Sequence, residues 1–268
     1  MPERQKGHLM KNKVILISID GMRSDGLLQC GNPYLKTLEE ICTYSYDSRS
    51  LFPTVTFPCH FSMTHSVTPQ RHGILTNIYV PQVRPVQGIF ERVRQFGGTT
   101  ALFYNWDYLR DLATPGGYTI TYYSDIALDD RSDDVITDAC LTSIAKYHPD
   151  FVMLYMVDVD EKGGHDNGWM SEEYLRRVSI AIDNVKRVIE TCGDEYSIII
   201  TADHGGHDRN HGLDIPEDMI IPVFLYGKSF EGGKTVDNTS LLDVTPTIAA
   251  LMGIEPVEEW EGRSLVGE

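Results

Sequence analysis

Long apolar segments are absent from this sequence. No run of about 18 or more consecutive apolar residues, the length that a membrane-spanning helix needs, occurs among the 268 residues. The first residues, MPERQKGHLMKNK, are polar and lack the apolar core of a secretory signal peptide. We therefore expect a cytoplasmic protein with no membrane partner.

Basic residues and cysteines are scarce as well. Lys and Arg together number 23 against 39 Asp and Glu, which gives a formal net charge of −16. This charge excludes broad binding to nucleic acid polymers, which requires basic patches, but it permits a small anionic substrate beside bound cations. The five cysteines include no CxxC pair, which is typical of reduced cytosolic thiols rather than of a disulfide framework.

Apolar runs alternate with amphipathic patterns along the chain. Runs rich in β-branched and aromatic residues predict strands buried on both faces, and they are KVILISID, TTALFYN, FVMLYMVDVD, YSIIITADHGG and IIPVFLYG. Helical patterns include PYLKTLEEIC, VQGIFERVRQFG, DDVITDACLTSIAKYH and SEEYLRRVSIAIDNVKRVIETC, the last with Ser171 as its N-cap. SLLDVTPTIAALMG predicts a further short helix.

This alternation predicts an α/β fold, namely a three-layer α/β/α sandwich with a mostly parallel central sheet. The length suits one domain over residues 1–268. A small cap would fit within about 78–130 of that domain.

Three of the predicted strands end in acids. Asp20 closes VILISID, Asp158 and Asp160 close LYMVDVD, and Asp203 closes the run before His204. In open parallel sheets, ligands bind outside the carboxyl ends of the strands. Carboxylates gathered there repel one another unless they are protonated or neutralised by a cation.

Histidines accompany these acids. His204 adjoins Asp203, His165 follows Asp160 closely, and His211 lies in RNHGLD. Mixed Asp and His ligands with open positions suit zinc or manganese at a catalytic centre. The pattern therefore predicts divalent metal ions as cofactors.

The stretch LFPTVTFPCHFSMTHSVTPQRHGILTN combines a hydroxyl group with a helix start. Pro58 predicts a helix with Thr56 or Phe57 as its N-cap. A phosphoryl group at that helix N-terminus would meet free backbone N–H groups, and the Thr56 hydroxyl could attack phosphorus once a cation activates it. Thr54 is the rival nucleophile.

SIDGMRSD, the threonine stretch above, DEKGGHDNGWMSEEY, TADHGG and NHGLD together resemble the type I phosphodiesterase / nucleotide pyrophosphatase family of the alkaline phosphatase superfamily. The resemblance covers about residues 13 to 226, in the expected order. It implies a two-metal phosphoryl-transfer enzyme in which Thr56 is the nucleophile and Asn77 binds a phosphate oxygen. The implied ligands are Asp20, Thr56, Asp203 and His204 for one metal, and Asp160, His165 and His211 for the other.

Two positions depart from the family pattern. DEKGGH has one glycine more than the usual DxxGH, so Asp158 and Glu161 are alternatives to Asp160, and the longer loop is expected to bulge at its glycines. Cys59 stands where the family commonly has asparagine, and we expect it to serve packing.

The resulting hypothesis is a hydrolase of phosphate diesters or nucleotide pyrophosphates that forms a phosphoryl-threonine intermediate on a small phosphate ester. Phe57 could stack on a base or aryl leaving group. The alternative activity is phosphomonoester or phosphonate hydrolysis at the same site. A sulfatase is disfavoured, because the sequence has no CxPxR segment. The non-enzyme alternative is a metal-binding protein without turnover. No oligomeric state is predicted.

Overall fold

The computed structural model describes residues 10–268. Its centre is an eight-stranded sheet with the order β4-β3-β5-β1-β6-β7-β2-β8. The strands β1 to β8 are Lys13–Ile19, Thr43–Arg49, Thr100–Tyr104, Ile120–Tyr123, Phe151–Met156, Tyr196–Thr201, Ile220–Tyr226 and Lys234–Thr235. β7 is antiparallel to β6 and β2, whereas the other neighbouring pairs are parallel. The mostly parallel sheet is therefore confirmed.

Helices connect the strands. In the described part of the chain, α1 to α9 are Ser24–Gln29, Tyr34–Ile41, Thr56–His65, Pro69–His72, Ile89–Gln95, Ser132–Tyr147, Glu172–Cys192, Pro216–Met219 and Val244–Met252. A π-helix spans Val159–His165, and short 3₁₀ turns cover Asp107–Leu112, Ile126–Leu128 and Leu241–Asp243. None of the helices in residues 10–268 is both long and apolar enough to cross a bilayer.

The helices form two groups around the sheet. α1, α2 and α6 pack against the long helix α7, while α3, α5 and α9 pack against one another. Between these groups, β5 and β6 are buried along their whole length, as is β1 apart from Lys13. Continuous apolar runs in the sequence thus correspond to strands covered on both faces.

Two helix starts illustrate the local rules. The Ser171 hydroxyl accepts a hydrogen bond from the backbone N–H of Tyr174 at 3.1 Å, so this predicted N-cap is confirmed. At α3, however, Val55 is the N-cap, and Thr56 is already the first helical residue. The prediction that Thr56 or Phe57 is the cap is wrong, because Pro58 is the third helical residue rather than the first or second. Proline is tolerated at any of these positions, since the N–H groups of the first turn have no partner within the helix and proline lacks an N–H.

The sequence patterns do not account for every strand. β2 and β4 contain TYSYDSR and ITYY, and the two-residue β8 lies at an edge of the sheet. Within 78–130, where a cap would fit, β3 and β4 join the main sheet, whereas residues 78–88 form neither helix nor strand. A single domain over the whole chain stays a prediction.

Candidate metal centre

Three neighbouring strands bring acids to one edge of the sheet. β1 lies between β5 and β6 and is parallel to both. Asp20 follows β1 directly, Asp203 follows β6 by two residues, and Asp160 lies in the π-helix that follows β5. These acids lie at the carboxyl ends of the strands, where ligands of open α/β sheets bind.

The first group consists of Asp20, Asp203 and His204, whose candidate ligand atoms lie within 4.8 Å of one another. His204 Nε2 lies 3.4 Å from Asp20 Oδ1, 3.3 Å from Asp203 Oδ2 and 3.2 Å from Thr56 Oγ1. His204 Nδ1 lies 2.8 Å from the Gly205 carbonyl oxygen, which can only accept, so Nδ1 carries the proton. The Nε2 atom therefore has a free lone pair, and it faces the oxygen atoms of Asp20, Asp203 and Thr56 that could bind the same metal ion.

The second group consists of Asp160, His165 and His211, again with ligand atoms within 4.8 Å of one another. His165 Nε2 lies 3.4 Å from Asp160 Oδ2. The rings of His211 and His204 stack with their centroids 3.9 Å apart, so the two groups are adjacent. The structure thus brings together the residues that the family resemblance assigns to each metal.

The π-helix brings Asp160 and His165 together across the additional residue of DEKGGH. Its hydrogen bonds link residues five positions apart, as between the Gly163 N–H and the Asp158 carbonyl at 3.0 Å. Asp160 and His165 are also five positions apart and therefore lie on the same side of this helix.

The alternatives to Asp160 lie elsewhere. The Asp158 carboxylate accepts hydrogen bonds from Ser132 Oγ at 2.6 Å and from the Asp133 N–H at 3.2 Å, and it pairs with Lys162 at 3.0 Å. Asp158 is thereby occupied at the start of α6. Glu161 lines the adjacent cavity but does not belong to either ligand group.

The electrostatics of the acids in both groups call for cations. Asp20, Asp160 and Asp203 are buried, and each has a carboxylate oxygen with no hydrogen-bond partner among the described residues. Burial, followed by the charge of Asp160, raises the pKa of Asp203 to about 8. Burial and neighbouring acids also raise the pKa values of Asp20 and Asp160. A divalent cation would offset both the cost of burying a carboxylate and the repulsion between neighbouring carboxylates, because its positive charge stabilises their ionised forms.

Burial acts in the opposite direction on the histidines. It lowers the pKa of His204 well below its usual value, and it lowers that of His211 as well. Neutral imidazole is the form that binds a metal. The donor set and its protonation preferences therefore fit divalent metal ions.

Two further residues support the first group, and the sequence patterns assigned them no role there. Tyr155 donates its hydroxyl hydrogen to Asp20. His60 donates from Nδ1 to the Thr56 carbonyl at 2.8 Å and accepts at Nε2 from Ser18 Oγ at 2.8 Å. Burial lowers the pKa of His60 to about 4, so this ring is neutral at ordinary pH. The signal for Tyr155 was a lone hydroxyl within an otherwise apolar strand.

Thr56 and Asn77 meet at the N-terminus of α3. Asn77 Oδ1 accepts a hydrogen bond from the Phe57 N–H at 3.0 Å, which leaves the Asn77 amide N–H₂ as a donor. The Phe57 ring is fully buried between Phe61 and Tyr79. It presents no face to the cavity, so the expected stacking role of Phe57 is corrected.

A small cavity of about 80 Å³ opens beside these groups. Its lining includes Thr56, Asn77, Asp160 and two aromatic residues that the sequence patterns did not identify, Tyr155 and Trp106. Within residues 10–268, no Lys or Arg lines this cavity. Arg23, the nearby cation in the motifs, instead binds Asp25 and the Gly206 carbonyl.

Known proteins resemble this chain in sequence. A family model described as type I phosphodiesterase / nucleotide pyrophosphatase matches residues 14–220. Ectonucleotide pyrophosphatase/phosphodiesterase family member 1 of Mus musculus is 26% identical over 224 residues, which cover 71% of this chain and 24% of the relative. A bis(5'-adenosyl)-triphosphatase of Mus musculus is 23% identical over 274 residues, covering 93% of this chain and 56% of the relative. The chain thus spans about a quarter to just over half of these relatives.

A solved structure resembles the fold over nearly its full length. Murine ectonucleotide pyrophosphatase / phosphodiesterase 5, in an inactive form in complex with AMP, matches with a TM-score of 0.77 at 14% identity. The match covers 92% of this chain and 96% of that chain. It shows that the fold is the expected three-layer, alkaline phosphatase-like α/β architecture.

Proposed function

Because the chain belongs to the type I phosphodiesterase / nucleotide pyrophosphatase family, we propose that it is a metal-dependent hydrolase of phosphate diesters or nucleotide pyrophosphates. One observation carries the proposal. The Thr56 hydroxyl, in the first turn of α3, lies 3.2 Å from His204 Nε2, beside two buried carboxylates that have unpartnered oxygens. A hydroxyl in that position is placed for nucleophilic attack on phosphorus.

The proposed cofactors are two divalent metal ions, namely zinc, with manganese as the alternative. Asp20, Thr56, Asp203 and His204 would hold one ion, and Asp160, His165 and His211 the other. Bound there, such ions lower the pKa of a coordinated hydroxyl or water and stabilise charge on the transferring group.

The chain's own residues then divide the reaction into two steps. Thr56 Oγ1 bonds to phosphorus as the bond from phosphorus to the leaving oxygen breaks, and the proton that the hydroxyl gives up passes to solvent, which protonates the departing oxygen. A water molecule then attacks the phosphoryl-threonine, releases the phosphate product and returns a proton to Thr56. The Asn77 amide N–H₂ donates a hydrogen bond to a non-bridging oxygen in both steps, while its Oδ1 stays bonded to the Phe57 N–H at the start of α3.

The lining of the cavity favours a singly charged phosphoryl group. A monoester dianion carries one more negative charge than a diester, and a cationic side chain beside it would stabilise that charge. No Lys or Arg of the described residues lines the cavity, whereas Glu161 does. We therefore propose a diester or pyrophosphate rather than a phosphomonoester or phosphonate as substrate, with Trp106 beside the organic group.

The nucleophile is tested by substitution at Thr56. Thr56→Ala is expected to lower kcat for an aryl phosphodiester by about a thousandfold or more, roughly 4 kcal/mol, whereas Thr56→Ser keeps measurable turnover because it retains a hydroxyl. Thr64→Ala is the matched control, since that hydroxyl bonds to the His60 carbonyl within the same helix. Unchanged turnover in Thr56→Ala would remove Thr56 from the mechanism and favour metal binding without this chemistry.

The substrate class is tested with matched aryl phosphodiester and phosphomonoester substrates at saturating zinc. We expect a higher kcat/KM for the diester. A preference for the monoester of tenfold or more, about 1.4 kcal/mol, would instead establish the alternative activity. Location in the cytoplasm stays a prediction.

A further inference from the structure

Loop 207–213, between β6 and α8, contributes to both histidine positions of the second group. His211 lies on this loop, and its Nδ1–H donates to the Thr54 carbonyl at 2.7 Å. The Arg209 carbonyl, on the same loop, accepts from His165 Nδ1 at 3.0 Å. Carbonyl oxygens only accept, so both rings carry their proton on Nδ1 and present the Nε2 lone pair. The loop therefore fixes the tautomer and orientation of both imidazoles.

A buried carboxylate outside the ligand groups holds this loop. Asp218, in α8, has no exposed surface. Its Oδ2 accepts from the backbone N–H groups of Gly212 at 2.9 Å and Leu213 at 2.8 Å. Its Oδ1 lies 2.7 Å from His207 Nδ1, which donates to it. Both ends of the loop are thus tied to one side chain.

The Thr54 hydroxyl closes the same clamp from the other side. Thr54 Oγ1 donates to the Leu213 carbonyl at 3.0 Å and accepts from the Gly212 N–H at 3.1 Å. These bonds fix the residue that follows His211. They also bear on Thr54 as the rival nucleophile. Its hydroxyl is occupied by these two hydrogen bonds, and Thr54 lies outside both ligand groups.

We propose that Asp218 and the Thr54 hydroxyl are positioning groups that set the affinity of the second site for its divalent cation. This inference rests on the two-metal site of the proposed function. Partners that orient metal-binding histidines from behind commonly account for 10–100-fold in metal affinity. Here the clamp acts through the loop backbone, so its loss would release His211 and the carbonyl that orients His165.

The test is a titration of metal-free protein with zinc alone, in competition with a chromophoric chelator. Asp218→Ala is expected to weaken the second zinc by about 10–100-fold and to leave the first within about twofold. Asp218→Asn should lie closer to wild type, because its amide oxygen can still accept from the two N–H groups. Glu217→Gln is the matched control, since it neutralises the adjacent exposed carboxylate and should bind both ions normally.

A metal-independent readout accompanies the titration. Imidazole ¹⁵N spectra of the metal-free protein should show Nδ1–H tautomers for His165 and His211 in wild type, and a mixture of tautomers in Asp218→Ala. Thr54→Val, which removes only the hydroxyl clamp, is expected to weaken the second zinc and leave the first unchanged. It serves as the deciding variant if Asp218→Ala does not fold.

The outcomes separate this inference from the proposed function. Wild-type affinity for the second zinc in Asp218→Ala, or in Thr54→Val where Asp218→Ala does not fold, overturns the positioning role and leaves the hydrolase proposal intact. Equal weakening of both sites also overturns it, because the clamp would then serve general stability. A wild-type protein that binds two zinc ions but hydrolyses no phosphate ester refutes the function while the positioning role stands.

Discussion

Removing the metal ions should make the stability of this protein fall with rising pH between about 6.5 and 8. The perturbation is chelation followed by exchange into metal-free buffer. Without a cation, the buried Asp203 carboxyl has a pKa of about 8 in place of its usual 3.8, because burial and the charge of Asp160 disfavour ionisation. In the unfolded chain the same group ionises near its usual value.

The sign follows from proton binding. Between pH 3.8 and about 8, folded metal-free protein keeps a proton on Asp203 that the unfolded chain has lost. Stability therefore falls as pH rises through this window and levels off above the folded-state pKa. One such group changes the free energy of unfolding by roughly 2 kcal/mol between pH 6.5 and 8. That corresponds to about 4–8 °C in Tm for a domain of this size.

The comparison starts at pH 6.5 because the buried histidines affect the pH dependence of stability mainly below that value. Burial lowers the pKa of His60 from 6.5 to about 4, so folding becomes more favourable as pH rises towards 6.5. Above 6.5 this contribution is complete, and the carboxyl term remains. Metal-bound protein keeps its ligand carboxylates ionised at either pH, so the Tm difference between metal-bound and metal-free protein should widen with pH.

The assay is thermal unfolding of both forms at pH 6.5 and pH 8 in one buffer system. Asp203→Asn is the control, because a side chain that does not ionise should make the pH dependence of the metal-free form shallower by the share of that one group, while the raised pKa values of Asp20 and Asp160 keep part of the slope. If the Tm difference stays constant or narrows towards pH 8, the buried carboxyl is not the group that the cation relieves, and this account of the site fails.

Three substitutions test the remaining assignments. Asp160→Asn should weaken the affinity for the second zinc ion at least about tenfold more than Asp158→Asn does, because Asp158→Asn mainly costs stability by weakening the hydrogen bond from Ser132. A zinc titration that shows the reverse order would make Asp158 the ligand. Gly21→Ala should destabilise by at least about 1 kcal/mol in urea, since Gly21 has φ +66° and a Cβ would lie 2.7 Å from Asp160 Oδ1; wild-type stability would contradict that clash. Asn77→Ala should lower diester kcat/KM about tenfold with metal content unchanged, and equal kinetics would exclude Asn77 from phosphate binding.

The central strands and the position of the site could be predicted from sequence because they follow from burial. Strands covered on both faces need continuous apolar residues, so an acid at the end of such a run marks the place where the strand leaves the core. Asp20 and Asp203 were recognisable for this reason. β2 and β4 were not, because TYSYDSR and ITYY mix polar and aromatic residues; β2 is only partly buried and β4 is mostly exposed.

Side-chain contacts across the fold could not be predicted. Phe57 adjoins the nucleophile in sequence, yet the helix turns its ring into the core against Phe61. Trp106 is fifty residues from Thr56 in sequence, but it lines the same cavity because β3 ends near that edge. Thr54 likewise reaches loop 207–213 only through the path of the folded chain. Local sequence carries no signal for such contacts.

The additional residue in DEKGGH shows where a spacing rule needs the helix type. The family pattern DxxGH places the ligand pair four residues apart, whereas Asp160 and His165 are five apart, which is why Asp158 and Glu161 stood as alternatives. The π-helix closes each turn over five residues and so keeps Asp160 beside His165. The glycines were expected to allow an unusual backbone, but neither has a positive φ. Gly164 is needed for space, since a Cβ there would lie 2.5 Å from the Trp169 ring. The π-helix therefore keeps Asp160 and His165 in one ligand group despite the additional residue between them. The small size of Gly164, rather than a flexible loop, lets this helix pack against the Trp169 ring.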